Sequence, residues 1–158
     1  MLIRTHEYAL SQGDYIMVSL LYTLRTWGWI YVLLSIVSLL IVAVAGSLIW
    51  LLAVFLWWLA MPFFFLMIFA WHAYSEKNAA TFRNQYLDFD DDFLSLYGQD
   101  GTTARVPLRN VVRLMRLFSY YLLFNSTTSF FVVPVDSFQS ENDLQQFEGL
   151  MRRHGLMR

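Results

Sequence analysis

TWGWIYVLLSIVSLLIVAVAGSLIWLLAVFLWWLAMPFFFLMIFAWHAYS, residues 26–75, contains no Asp, Glu, Lys or Arg and lies between Arg25 and Glu76. One bilayer crossing needs about 20 apolar residues, so this block is too long for one span and long enough for two. Gly46-Ser47 is the small, flexible pair near its midpoint and divides it into 27–45 and 48–72. At about 1.5 Å per residue these segments make helices of about 28 and 37 Å, against a hydrocarbon core of about 30 Å. The block therefore reads as a transmembrane helical hairpin over 26–75, with an arm, 1–25, before it and a tail, 76–158, after it.

The flanking charges give the hairpin a direction. Lys and Arg near span ends are retained in the cytoplasm; Arg4 and Arg25 precede the first span, Lys77 and Arg83 follow the second, and the turn between carries none. Both termini are expected in the cytoplasm. All six tryptophans fall between positions 27 and 71. Trp27, Trp29 and Trp71 suit headgroup depth on the cytoplasmic side and Trp50 suits it on the other, whereas Trp57 and Trp58 lie deeper and are expected to pack on the first helix. Pro62 deletes one backbone donor and crowds the preceding turn, which predicts a helix kink there. Ala43 and Ser47 form a small-xxx-small pair, and two helices alone bury little of each other, so a homo-oligomer is a further expectation.

The formal net charge of -1 offers no field to attract nucleic acid. The absence of cysteine removes disulfides, thiolate metal sites and thiol nucleophiles together. The first residues carry Arg4, Glu7 and Asp14 and lack the uninterrupted apolar core of a signal peptide, so the hairpin itself is expected to direct insertion.

In the arm, Ser11-Gln12-Gly13-Asp14 reads as a helix start, and the apolar residues from Tyr15 to Leu24 predict an N-terminal amphipathic helix that runs into, or lies against, the first span. In the tail the period changes to alternation. Tyr86 and Phe89, then Phe93, Leu94, Leu96 and Tyr97, predict two short strands joined through Asp88, Asp90, Asp91 and Asp92. Gly98-Gln99-Asp100-Gly101 is a tight turn into a strand over 102–108. Further strands are expected over 111–117, 120–125 and 130–133, with Ser126-Thr127-Thr128-Ser129 turning into the last and Pro134 ending it or placing it at a sheet edge. Ser140-Glu141-Asn142-Asp143 repeats the helix-start signature, and Leu144, Phe147, Leu150 and Met151 recur on one helical face. The expected fold class is a membrane α+β protein whose tail is a small antiparallel β-sheet capped by a C-terminal α-helix.

Catalytic chemistry finds no constellation. His6, His72 and His154 are far apart without a second ligand at metal spacing. The aspartate run lacks the glycine and distal glutamate of a calcium loop. No G-x-S-x-G elbow, P-loop or dinucleotide fingerprint is present. The chain is therefore read as not an enzyme, with no metal and no cofactor. The arginines are more suggestive: Arg105, Arg109, Arg113 and Arg116 crowd adjacent strands, and Arg152, Arg153 and Arg158 crowd the terminal helix. Arginine suits bidentate contact with phosphate or carboxylate, and a domain tethered at an anionic leaflet gains about 1 kcal/mol per basic residue near the surface. Lipid or another anionic partner is one use for them. The competing use is pairing with Asp88 to Asp92 and Asp100 inside the domain. Arg113 and Arg116 have opposite strand parity, so a regular strand cannot present both to one surface.

The chain resembles the YcxB-like family of small bacterial two-span membrane proteins. The likeness rests on Leu10-Ser11-Gln12-Gly13-Asp14-Tyr15, on the two-span block, and on the segment 133–147, VPVDSFQSENDLQQF, with Pro134, Phe138, Ser140 and Phe147 as its anchors. Those four also have structural roles of their own: Pro134 stops a strand, Phe138 plugs the junction of sheet and helix, Ser140 opens the helix. Val135 stands where a basic residue is common in the family, which argues against a cationic site there. The resemblance implies a bacterial inner membrane location and a soluble part similar in outline to pleckstrin-homology modules. The functional expectation is a non-enzymatic, membrane-anchored binding or regulatory module that contacts lipid headgroups or a protein partner. The alternative is a membrane immunity or defence component that neutralises a toxin or oligomerises through its spans. A transporter would need polar residues within the spans, which the block lacks.

Overall fold

The computed structural model describes residues 2–45, 48–126 and 129–157. The chain divides into two compact units, Gln12–Glu76 on one side and Met1–Ser11 with Lys77–Arg158 on the other.

The first unit is two helices, α1 (Gln12–Ala45) and α2 (Leu48–Tyr74), both long and apolar enough to cross a membrane. The predicted break at Gly46-Ser47 lies outside the described residues. Of the two courses expected for the helix of the arm, running into the first span or lying against it, the chain takes the first. Nothing between Gln12 and Ala45 removes a backbone donor, so α1 runs uninterrupted for 34 residues, or about 51 Å. Pro62 lies inside α2, which continues through it. The two helices meet where Tyr31 sets its ring edge-on to Trp58, 6.2 Å between centroids, and Trp57 lines the same groove between them as Trp27, Ile30 and Tyr31. Their ends are drawn together by Tyr15 stacked on His72 at 5.7 Å and by Gln12 Nε2 donating to the Ala73 carbonyl at 3.3 Å. Three hydroxyls within α1 are satisfied by the helix itself: Thr23, Ser35 and Ser38 each donate to the carbonyl four residues back, which removes the cost of a bare hydroxyl in an apolar setting; those of Ser19 and Tyr31 are buried without such a bond. Large apolar side chains along both helices are exposed. Val44 is 90% exposed and Trp71 83%.

Among its described residues the second unit holds seven antiparallel strands in two sheets, where one sheet was expected. β1 (Ile3–Arg4), β2 (Gln85–Phe89), β3 (Phe93–Gly98) and β4 (Thr103–Pro107) form the first, in that order; β5 (Arg113–Leu117), β6 (Tyr120–Phe124) and β7 (Phe130–Pro134) form the second. The division falls at Pro107, which ends β4 and has no amide hydrogen to extend a ladder. The chain then makes a 3-10 turn, Leu108–Asn110, with Leu108 fully buried and its amide donating to the Asp92 carbonyl at 2.8 Å. Of the turn expected over 126–129, Thr127 and Thr128 lie outside the described residues.

Residues 2–11, read from the sequence as part of the arm, complete the first sheet. Ile3 pairs with Phe89 and Arg4 with Asp88; Thr5 bridges to Phe138 and Tyr8 to Gln85. The helical hairpin is thus an insertion between β1 and β2. An antiparallel helix pair returns the chain close to where it left, and the Tyr8–Gln85 bridge, with both N–H···O distances at 2.9 Å, holds the two connections together.

Alternation along the strands puts Ile3, Leu87, Phe89 and Leu94 on one side of the first sheet and Leu114, Tyr121, Leu123 and Val133 on one side of the second. These faces share one core with Phe147, Leu150 and Met151 of α3 (Glu141–Arg153). Phe147 is fully buried and its ring meets those of Phe89, Phe138 and Tyr121 at 4.8, 4.9 and 5.1 Å. Ser140 caps α3 by accepting from the Asp143 amide at 3.1 Å. Gly155, at φ 68°, closes it: its amide donates to Arg152 O and that of Leu156 to Met151 O, the paired bonds of a Schellman motif. The Leu114 amide then donates to Leu156 O at 3.0 Å, so the chain after α3 lies along the edge of β5.

Candidate functional site: the arginines around the C-terminal helix

Of the seven arginines singled out from the sequence, Arg158 lies outside the described residues, and strand register and the placement of α3 separate the other six into three settings. Arg105, Arg109 and Arg153 lie around a groove, Arg116 and Arg152 converge on one carboxylate, and Arg113 lies elsewhere.

The groove has a volume of about 310 Å³ and is lined by Asp92, Phe93, Pro107, Arg109 and His154. It forms where the 3-10 turn after β4, the β2–β3 connection and the end of α3 meet. Arg109 comes from the 3-10 turn and makes no ion pair among the described residues. Arg105, on the outer face of β4, lays its guanidinium 3.9 Å from the centroid of the Phe93 ring. Arg153 reaches Asp91 Oδ1 at 3.5 Å, and His154 Nε2 lies 2.8 Å from the Asp91 carbonyl. Two side chains at the C-terminal end of α3, the last helical residue and its C-cap, therefore hold the acidic connection. The groove carries a free guanidinium, an imidazole, an aromatic wall and an opposing carboxylate. Such a mixed lining suits a polar or zwitterionic group better than a bare anion, because Asp92 offsets much of the pull of Arg109.

The second setting centres on Glu148, which the sequence reading did not single out. Its carboxylate accepts from Tyr121 Oη at 2.5 Å and faces Arg116 at 3.4 Å and Arg152 at 3.8 Å. Burial, followed by the adjoining carboxylate, pushes the Tyr121 phenol well above its ordinary range. The spacing of Glu148 to Arg152, four residues along a helix, was legible in advance; its meeting with Arg116 depends on how α3 lies across the sheet. Arg113, three residues before Arg116 on β5, occupies the opposite face with its guanidinium 4.5 Å from the Phe124 ring centroid.

The competing use of the arginines is met by one expected pair, Arg153 with Asp91, while two of the other acids take arginines from outside the set. Of the acids considered, Asp91 pairs with Arg153, Asp88 with Arg4, and Asp100 with Arg83 at 3.2 Å. Arg4 donates from two nitrogens to the two oxygens of Asp88 at 2.7 and 2.8 Å and lies 5.3 Å from the Tyr86 ring centroid, beside the stacked pair Tyr86 and Tyr97. That bidentate pair binds the edge strand to the sheet at a carboxylate only 7% exposed. Thr102 holds Asp100 through its hydroxyl and its amide, and these bonds, with Arg83 nearby, draw the Asp100 carboxyl below its usual range.

The remaining residues singled out have simpler settings. Trp27, Trp29, Trp50 and Trp71 project from α1 and α2 and are exposed. Pro62 lines a second apolar groove of the helix pair with Leu20, Leu56, Leu59 and Phe63. Pro134 is the last residue of the edge strand β7 and its carbonyl accepts from Ser137 Oγ at 2.7 Å. Among the described residues no three His, Asp or Glu converge as metal ligands.

Residues 89–151 match the family model described as YcxB-like protein. The matched segment runs from the end of β2 through Met151 of α3. It includes Arg105, Arg109, Arg113 and Arg116 with the junction residues, and leaves α1, α2 and β1 outside. Comparison with curated proteins and with solved structures finds no match.

Proposed function

We propose that this chain, YcxB-like over residues 89–151, is a non-enzymatic binding or regulatory module anchored in the bacterial inner membrane, with α1 and α2 crossing the bilayer and both termini in the cytoplasm. One observation carries the reading. The two long apolar helices expose most of their large side chains, whereas the core helix of a soluble protein would bury them, and apolar surface on this scale demands lipid or protein around it. The hydroxyls of Thr23, Ser35 and Ser38, satisfied within α1, support the same solvent. Arg4, Arg25, Lys77 and Arg83 support the orientation.

The second unit is the part that binds. Its four-stranded and three-stranded sheets closed by a C-terminal helix support the pleckstrin-homology-like outline, which we use as analogy for a module working at a membrane surface. Most of the arginines already have partners within the domain, so general attraction to an anionic leaflet is a smaller share of binding than their number suggests. Arg109 and the groove beside it are the contact we favour for a polar headgroup or a protein segment of mixed charge.

Reporter fusions test the arrangement. A cytoplasm-active reporter is expected to work at either terminus and to fail when inserted at Gly46-Ser47; termini on opposite faces of the membrane would overturn the reading. For the groove, Arg109→Ala is expected to weaken retention on vesicles or on a captured partner several-fold while leaving the thermal midpoint unchanged. Unaltered retention would remove the groove from the proposal.

A further inference from the structure

Among the described residues Phe118 is the one non-glycine residue at positive φ, 52°. It is the first of the two residues, Phe118-Ser119, that join β5 to β6, whose pairing closes at Leu117 opposite Tyr120. A two-residue hairpin demands left-handed backbone at this position, which glycine, asparagine or aspartate supply without strain and a bulky aromatic does not. Packing gives nothing in return, since Phe118 is 73% exposed. The turn is also held in place, because Ser119 O accepts from the Val135 amide at 2.8 Å. Neither backbone nor core has a use for the ring, so its use lies outside the chain.

The isolation of the ring narrows what it can meet. Among the described residues the other large apolar side chains exposed in this unit are Leu2 and Val112. Val112 precedes the far end of β5, about 20 Å away at the rise of an extended strand, and Leu2 borders the other sheet. A protein docking site needs a contiguous patch with a desolvated centre, and one ring on a tight turn provides neither. The boundary between headgroups and acyl chains accepts a single aromatic without shape complementarity. One ring is too weak to bring a free protein to a membrane, but it suffices to bias a domain already tethered there, since the tether makes the contact intramolecular.

We propose that the β5–β6 hairpin tip is a membrane-contact site, in which Phe118 places its ring at the headgroup–acyl boundary of the bilayer that carries the chain and so sets how the domain faces that surface. This rests on the reading of α1 and α2 as spans.

The chain has no cysteine, so single labelling sites can be introduced into the full-length protein. Ser119→Cys, Val112→Cys and Leu33→Cys, each carrying a nitroxide, would be reconstituted into phosphatidylethanolamine–phosphatidylglycerol vesicles and probed with oxygen and with a water-soluble nickel chelate. The label at 119 is expected to favour oxygen over chelate several-fold, as at 33, and that at 112 to show the reverse. Adding Phe118→Gly to Ser119→Cys is expected to return the label to water while raising the thermal midpoint in detergent, because the turn is relaxed. A label at 119 that reads as water while 33 reads as lipid would sink the contact alone, and water at 33 would sink the spanning reading beneath it. A midpoint lowered by Phe118→Gly would make the ring a folding element and overturn the proposal.

Discussion

Tyr121 shows how much of this fold depends on single polar atoms. Its ring is fully buried against Phe147 while its hydroxyl donates to Glu148, whose carboxylate also faces Arg116 and Arg152. Ionising the phenol inside the fold would put a second negative charge beside a carboxylate in a desolvated place, so its pKa lies above the ordinary value of about 10. A group held in its protonated form by the fold stabilises fully below its unfolded pKa, and that contribution is lost as pH rises through the folded value. Thermal unfolding in detergent should therefore show a midpoint that is flat near neutrality and falls above about pH 10. Tyr121→Phe should shallow that fall without abolishing it, because burial raises the Tyr8 phenol in the same direction. An unchanged alkaline slope in the variant would mean that Tyr121 is not the group responsible. The cluster was half legible beforehand, since Arg116 and Arg152 stood out as cations. Glu148 did not, because a lone acid on an amphipathic helix has no sequence mark that distinguishes it from a solvated one.

At the scale of elements, α3 and the β3–β4 turn make opposite demands on glycine. Gly149 lies mid-helix on an exposed face where an added Cβ meets nothing within 4 Å. Gly149→Ala should stabilise the domain by about 0.5–1 kcal/mol by removing backbone entropy from the unfolded chain. A Cβ at Gly98 would lie 2.7 Å from Thr102 Oγ1 and 2.9 Å from Asp100 Oδ1, inside the hydrogen-bonded turn. Gly98→Ala should cost about 1 kcal/mol or more through overpacking. Chemical denaturation of the two variants in the same detergent tests the pair, and equal shifts of the same sign would contradict it. The strands β2 to β7 and the capped α3 follow from local signals: alternation, turn glycines, Pro134 and Ser140. The turn to a second sheet at Pro107 does not, because a strand that ends at proline can be followed by another strand in the same sheet or a different one. The buried Leu108 decides between them.

The whole molecule is a β/α domain interrupted by a helical hairpin. A tail of residues 77–158 alone would lack β1, leaving the edge of β2 unpaired and Asp88, only 7% exposed in its side chain, without Arg4. That polypeptide should aggregate or unfold at lower denaturant than one in which residues 2–11 are joined to 77–158 by a short flexible linker. In the full chain, Ile3→Ala should cost about 2–5 kcal/mol, as for any fully buried aliphatic core residue, although it lies near the N-terminus. A tail as stable without residues 2–11 as with them would show that β1 is dispensable.

Hydropathy and alternation are sums over neighbours along the chain, and so the sequence by itself determined two apolar helices long enough for a bilayer, the strand-rich tail and the helix that ends it. Pairing between residues more than eighty positions apart is decided by which edge the folded sheet leaves open. Only the tertiary structure could therefore add Ile3 and Arg4 to the sheet, break the strands into four and three, and bring Arg116 to Glu148. The same holds for Phe118: its aromatic character is written in the chain, but its left-handed backbone and bare ring exist only once β5 and β6 have closed on each other.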